Sequence, residues 1–597
     1  MTLLPVLAFL NVGAEKEPMR APEWAIAARL GACTITLSET AAELSDLADR
    51  LADAGYTVVT VHPGHLCYDI LDYDTPRHWP ALKRFVDACH ARGMRVVLKT
   101  MTLWHDKQRS PQYERYAGWS ARHGATTYHL PPRPGANAWY SCLNHPVIRD
   151  AHVTKLPALL EATGADGFMT DALIRPDMYS CVCEHCRRTF RRDTGFEAPA
   201  SEEADFWGRH ENPAYRAWLL WRYQSVTDFL LEIREALAAM ERPRALLEYY
   251  APGIPSMLKS ATDHEVLADA GACMIGQEVG VAPASQYNWR FILAKLNHVQ
   301  SLCQLRGRVP YAIIHNTYAE SCPHLFRSLT WLAGLRKWEY PVAYGAVRGV
   351  TVSRSALRWD EEHEDLLSPV RRDADVAIVY SRRSYVLVKA THREGPGSKD
   401  PLDAEYFGWA EALLEHDIPY HSLLDGDLTA ERLGDYRVLI LPAIACLSRD
   451  SADAIRRFLA DGGRLVAVGP TSRYAADGEQ LPDFRLADVF GVHYRGFSGA
   501  RATLAPEIGA DVPERGFDVP IEGFTVTEQA EGSQRAASLV TGEDGQPGIV
   551  THRYGGGEGI YVAFAAGQQT CHVVNYLGSR GGTWTAPPAR ELHDVML

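Results

Sequence analysis

From about residue 26 to 350 the chain alternates, eight times over, between short apolar runs of β-forming residues and amphipathic stretches at helical spacing. This pattern belongs to a parallel sheet wrapped by helices. Strands are expected over residues 29–37, 57–61, 95–103, 167–170, 244–249, 273–277, 309–315 and 342–346. The first helix is expected to start at Ser38 with Glu39 in its first turn, to bury Leu44, Leu47, Leu51 and Ala54, and to close at Gly55. Eight strand–helix units predict a (β/α)₈ TIM barrel with insertions, in the α/β class. A long insertion, residues 104 to about 140, follows the third strand, at the end of a barrel where substrate sites lie.

A chain of 597 residues is too long for one core. A second α/β pattern starts near Ala374: strands over 376–380, 437–441 and 464–468, helices over 404–415 and 451–460, and a stop at Gly462-Gly463. From about residue 487, short Val/Thr/Tyr runs and Gly555-Gly556-Gly557 suggest a small antiparallel β domain. The expected domains are therefore 1–370, 371–486 and 487–597.

A net charge of −13 and a pI near 6.0 argue against a nucleic-acid partner. No stretch reaches the roughly 20 apolar residues of a membrane span. The N-terminal apolar run to Leu10 has no basic flank and no clear cleavage site, so no signal peptide is expected. Twelve cysteines in so long a chain do not make a secreted disulfide framework, and a cytoplasmic protein is expected.

Three of those cysteines fall within six residues, Cys181-Val182-Cys183-Glu184-His185-Cys186. Thiolates at this spacing can converge on a tetrahedral zinc, which needs a fourth ligand. Cys142 is the best candidate, with His185 a weaker substitute. A closed four-sulfur site would be structural, since it leaves no position for water.

Cys142-Leu143-Asn144-His145-Pro146, the later cysteine run and Phe190 together resemble glycoside hydrolase family 42, the zinc-containing β-galactosidases. Phe206-Trp207, Tyr215 and Trp218 are similar to the aromatic-rich helix that follows in that family. Leu441-Pro442, Phe458 and Asp461-Gly462-Gly463-Arg464-Leu465 resemble its trimerisation domain, a class I amidotransferase-like fold without the amidotransferase site. Cys446 fits that absence: it has no Gly-x-Cys-x-Gly elbow and no visible activating base, so it reads as a packing residue. The resemblance implies a homo-oligomer, dimer or trimer, acting on carbohydrate.

The chain departs from family 42 where the chemistry lies. Thr170-Asp171 stands where the family has an asparagine and its acid/base glutamate, and Ile314-His315-Asn316-Thr317 stands where it has its nucleophile. An aspartate ending strand four, with Pro22-Glu23-Trp24 before strand one, more weakly resembles the family 29 α-fucosidase barrel, whose nucleophile is that aspartate. The chain resembles a group of glycoside hydrolase-like proteins combining both sets of features.

Glycoside hydrolysis generally needs two carboxyl groups at strand ends around the scissile bond. Asp171 is the first candidate, with an ion pair to a neighbour such as Arg175 as its structural alternative. Glu278 after strand six is the preferred partner, followed by Glu248 on strand five and then Asp106. His62, Trp104, His105, Asp106, Arg175, Glu248, Tyr249, His315 and Asn316 are candidate substrate contacts. Lys99 inside strand three needs a counter-charge, Asp171 or Glu248. The expected function is a retaining exo-glycosidase with Asp171 as nucleophile and Glu278 as acid/base. The alternatives are an inverting enzyme using Asp- or His-activated water, and a barrel that binds sugar without cleaving it.

Overall fold

The computed structural model describes residues 20–571, apart from 120, 124–125, 128–137, 172, 174–178, 201–204, 251–259, 280–288, 316–322, 341–353, 368–370, 389–400, 499–502, 507–522, 529–532 and 542–543. It divides into two compact units, one of residues 1–284 and 302–371, the other of 285–301 and 372–597.

Eight parallel strands close the barrel of the first unit: β1 (Leu30–Ile35), β2 (Val58–Pro63), β3 (Arg95–Met101), β4 (Gly167–Asp171), β5 (Ala245–Tyr250), β6 (Met274–Val279), β7 (Val309–His315) and β8 (Arg336–Tyr340). Alternate residues point inward. Leu30, Ala32, Val58, Val97, Met169, Leu247, Met274, Tyr311, Ile313 and Trp338 fill the interior as one core. Gly276 is required by this packing, because a Cβ there would meet the Tyr311 ring at 2.4 Å. The helix after β1, Ala41–Asp53, starts two residues later than the sequence suggests. Thr40 is its N-cap and forms a reciprocal capping box with Glu43, satisfying more backbone donors than Ser38 would.

Strand eight also differs from expectation: it is Arg336–Tyr340, not 342–346, and residues 341–350 lie outside the described residues. Its charges hide it from a hydropathy reading. Trp338 faces the core, while Lys337 and Glu339 turn outward and are neutralised there. Arg327, from the helix Pro323–Ala333, holds both Glu339 oxygens at 2.8 Å, and Lys337 pairs with Asp360. Both Arg327 and Glu339 are almost fully buried. Glu339→Ala strands the Arg327 charge and is expected to cost about 3–5 kcal/mol, read as a lower urea midpoint. A Glu339→Ala midpoint equal to wild type would contradict this account of the strand.

The second unit holds one eight-stranded sheet: β9 (Val376–Tyr380), β10 (Tyr420–Leu424), β11 (Val438–Leu441), β12 (Arg464–Val468), β13 (Thr503–Pro506), β14 (Ser533–Thr541), β15 (Asp544–Tyr554) and β16 (Gly557–Val562). The order is β10-β9-β11-β12-β16-β15-β14-β13. The first five are parallel, as a doubly wound fold requires, and the last three extend the sheet antiparallel. The C-terminal strands therefore share the α/β sheet, with β16 returning beside β12. Val492–Ser498 and Gly523–Glu528 form a separate antiparallel pair. No helix among the described residues is long and apolar enough to cross a membrane.

Candidate active site and cysteine centre

At the C-terminal end of the barrel, inward-facing residues of β2, β3, β4 and β5 meet. Lys99 Nζ lies 3.0 Å from Asp171 Oδ2, and the lysine is buried while the aspartate keeps 16% of its side chain exposed. The ammonium sits between two rings, 5.0 Å from the centroid of Tyr249 and 4.8 Å from that of Trp338. Tyr249 also hydrogen-bonds Asp171. Burial pushes the Asp171 carboxyl up, but the Lys99 charge and the bonds from Tyr249 and Lys99 outweigh it, so it titrates below the ordinary 3.8. This carboxylate is ionised at neutral pH. It suits a nucleophile or a base, not a proton donor.

His62 stands beside this pair, buried and bonded to the Cys33 backbone. Burial and then Lys99 push its pKa down to about 3, so the imidazole is neutral. Glu278 is half-buried near the end of β6 and shares the inner face with Met274 and Gly276. The strand between β4 and β6 is β5, so Asp171 and Glu278 stand two strands apart around the same rim.

Glu248 corrects the sequence reading. It alternates with the inward Leu247 and Tyr249, so it turns to the outer face of the sheet, away from the mouth. There it is buried, bonded to the Thr170 hydroxyl and, at 3.3 Å, to the Thr170 N–H. Lys99 pairs with Asp171 instead. Burial raises Glu248 to about 8 from the ordinary 4.5. The folded protein thus keeps a proton that the unfolded chain gives up, and this contribution to stability is full below about pH 4.5 and lost as pH rises to about 8. Against Glu248→Gln, the wild-type melting temperature is expected to fall progressively between pH 5 and 8; parallel curves would contradict the burial argument.

His105 is likewise structural. It is fully buried, stacks on Tyr116 at 3.6 Å, and donates from Nδ1 to the Tyr68 carbonyl at 2.9 Å; burial lowers it to about 3. Trp104 remains half-buried, edge-on to Tyr68. Arg175 and Asn316, and the side chains of Asp106 and His315, lie outside the described residues. Sequence reasoning missed Asp69, a buried carboxylate that anchors the insertion. It accepts from Tyr116 at 2.7 Å, Gln112 N at 2.9 Å and Ser110 at 3.1 Å. Only its setting in Tyr68-Asp69-Ile70, apolar on both sides, hinted at burial.

Elsewhere in the first unit the four cysteines Cys142, Cys181, Cys183 and Cys186 bring their sulfurs within 4.8 Å of one another. Cys142 Sγ is 3.5 Å from Cys183 Sγ and 3.4 Å from Cys186 Sγ, far beyond a disulfide bond. Asn144 Nδ2 donates to Cys186 Sγ at 3.3 Å, and its oxygen is held by Arg149 at 2.8 Å. His185 faces elsewhere, accepting from Arg188 at 3.0 Å. Behind the loop, Phe190 packs edge-on to Trp218 and Trp221, and the buried Arg222 donates to the Ser180 carbonyl. In the second unit Cys446 is buried, with its N–H donating to Ser384.

No curated protein matches this sequence. Among solved structures, the chain is similar to the cold-adapted β-galactosidase of Rahnella sp. R3, with 16% identity and a TM-score of 0.70 over 92% of this chain and 87% of that one. It is similar to the β-galactosidase of Bacillus circulans sp. alkalophilus, with 14% identity and a TM-score of 0.71 over 90% and 86%. The α-L-fucosidase isoenzyme 2 of Paenibacillus thiaminolyticus follows with 16% identity and a TM-score of 0.64 over 92% and 81%. Residues 374–576 match the family model of the β-galactosidase trimerisation domain. Residues 374–576 thus resemble the trimerisation domain of β-galactosidases, and the chain shares its fold with β-galactosidases of known structure.

Proposed function

We propose that the protein is a retaining glycoside hydrolase that removes a terminal sugar, with Asp171 as nucleophile and Glu278 as acid/base. One observation carries this reading: an aspartate held by Lys99 and Tyr249 at the C-terminal end of β4, with 16% of its side chain still exposed. Asp171 attacks the anomeric carbon while Glu278 protonates the departing oxygen, giving a glycosyl ester. Glu278 then takes a proton from water, which attacks the anomeric carbon and frees Asp171. Lys99 is a positioning residue that keeps Asp171 charged. Neutral His62 can accept or donate a hydrogen bond to a sugar hydroxyl, and Trp104 offers a ring face.

The Lys99–Asp171 pair also favours a second reading. An aspartate already neutralised by a buried lysine has a structural reason to exist, and such a barrel could bind sugar without cleaving it. A panel of aryl glycosides covering both anomeric configurations separates the two. Release of the aryl alcohol from at least one member is expected; no turnover with retained sugar binding would favour the second reading.

The cysteine set fits zinc. A tetrahedral ion with bonds of about 2.3 Å needs sulfurs roughly 3.8 Å apart, close to the spacings present. Such an ion would be closed and structural, tying the Cys142 segment to the loop of Cys181, Cys183 and Cys186. The trimerisation domain supports a homo-oligomer, and the unbridged cysteines among the described residues support a cytoplasmic location.

A further inference from the structure

The loop after β2 brings together a different set of ligand atoms. His65 Nε2 lies 3.6 Å, and His78 Nε2 3.9 Å, from Asp72 Oδ2, and the three ligand atoms fall within 4.8 Å of one another. The two imidazoles meet edge to face, with centroids 4.3 Å apart. The carboxylate is built into place. Asp72 is mostly buried, and its other oxygen accepts from Gln112 Nε2 at 2.7 Å and Thr75 Oγ1 at 3.2 Å. These bonds leave Oδ2 aimed at the histidines.

Gln112 is itself fixed. Its N–H donates to Asp69 at 2.9 Å, and its side-chain oxygen accepts from Arg115, which turns the amide nitrogen toward Asp72. Outer bonds of this kind hold a ligating carboxylate in one orientation. A packing explanation accounts for Asp72 and Gln112, but not for two partly exposed imidazoles converging on the same oxygen.

We propose that His65, Asp72 and His78 bind a divalent transition-metal ion. Two neutral imidazoles and one carboxylate supply the donor set that zinc, cobalt and nickel accept. Bonds of about 2.0–2.2 Å to a tetrahedral ion place ligand atoms roughly 3.3–3.6 Å apart. The two histidine–carboxylate spacings, 3.6 and 3.9 Å, lie close to that range, and with all three ligand atoms within 4.8 Å of one another, side-chain rotation at the partly exposed histidines can close the set on an ion. Arg77 Nε now donates to His78 Nε2 at 3.1 Å. Arg77 is exposed, so metal can replace that bond while the guanidinium turns to water. Three protein ligands leave a coordination position open, unlike the four-sulfur set.

The test is zinc titration of the full-length protein by calorimetry, after a mild chelator has removed exchangeable metal. Wild type is expected to take up one exchangeable zinc per chain, and His65→Ala and His78→Ala to lose that uptake while keeping the wild-type circular dichroism. Gln112→Ala is expected to weaken it by about 10–100-fold. Cobalt at the same site should give a visible spectrum without sulfur-to-metal charge transfer. No exchangeable zinc in wild type, or equal uptake in both histidine variants, would overturn the proposal.

Discussion

Asp171→Asn is expected to lower kcat/KM by on the order of 10³-fold or more, about 4 kcal/mol of transition-state stabilisation, on whichever aryl glycoside the wild type cleaves best. Asparagine keeps the shape and can still bond Tyr249, but it cannot form a glycosyl ester. The same substitution leaves Lys99 buried without its counter-charge, so some loss of stability will accompany it. The double variant Lys99→Met/Asp171→Asn removes that charge. It should recover stability without recovering turnover, which separates the chemical role of Asp171 from its structural one. Lys99→Met alone should move the acid limb of the kcat/KM profile to higher pH, because the ammonium is what holds Asp171 low. An unmoved acid limb would mean that the limb belongs to another group.

Loss of the four-cysteine centre should have an equally large effect, but on stability. Removing its metal with a strong chelator, or replacing Cys183 with Ser, is expected to cost about 3–5 kcal/mol and lower the melting temperature by roughly 10 °C. A closed site has no position for water, so kcat measured well below the transition should hardly change. If Cys183→Ser abolished turnover with the fold intact, the four-cysteine metal would have to act in catalysis, against the closed geometry. Metal analysis of the purified protein, one zinc retained per chain through mild chelation, checks the premise directly.

The sequence made much of this architecture legible because its signals were local. β7, β9 and β12 fall on the expected runs, since their apolar residues are continuous and are bounded by turn residues. β8 is hidden because hydropathy counts Arg336, Lys337 and Glu339 as surface, whereas two of the three are neutralised by partners on the helices before and after the strand. The site shows the same division. Asp171 was visible as an acid ending an apolar strand. That Glu248 points the other way depends on β-strand alternation measured against its neighbours, which a one-residue error in register would reverse. His105 looked like a strand-end ligand because its stacking partner Tyr116 comes from within the insertion. The His65, Asp72 and His78 set leaves no compact motif, because its members sit in three separate short 3₁₀ turns.

The claim that strand four supplies the nucleophile is tested most directly by Asp171→Gly with and without azide, on the aryl glycoside wild type cleaves best. The glycine variant opens space beside the anomeric carbon for the small anion. The account predicts near-total loss of hydrolysis, recovery of aryl alcohol release with azide, and a glycosyl azide whose anomeric configuration is opposite to that of the substrate. Hydrolysis at the wild-type rate in Asp171→Gly, or azide rescue that appears only in Glu278→Gly with that same inverted product, would contradict it.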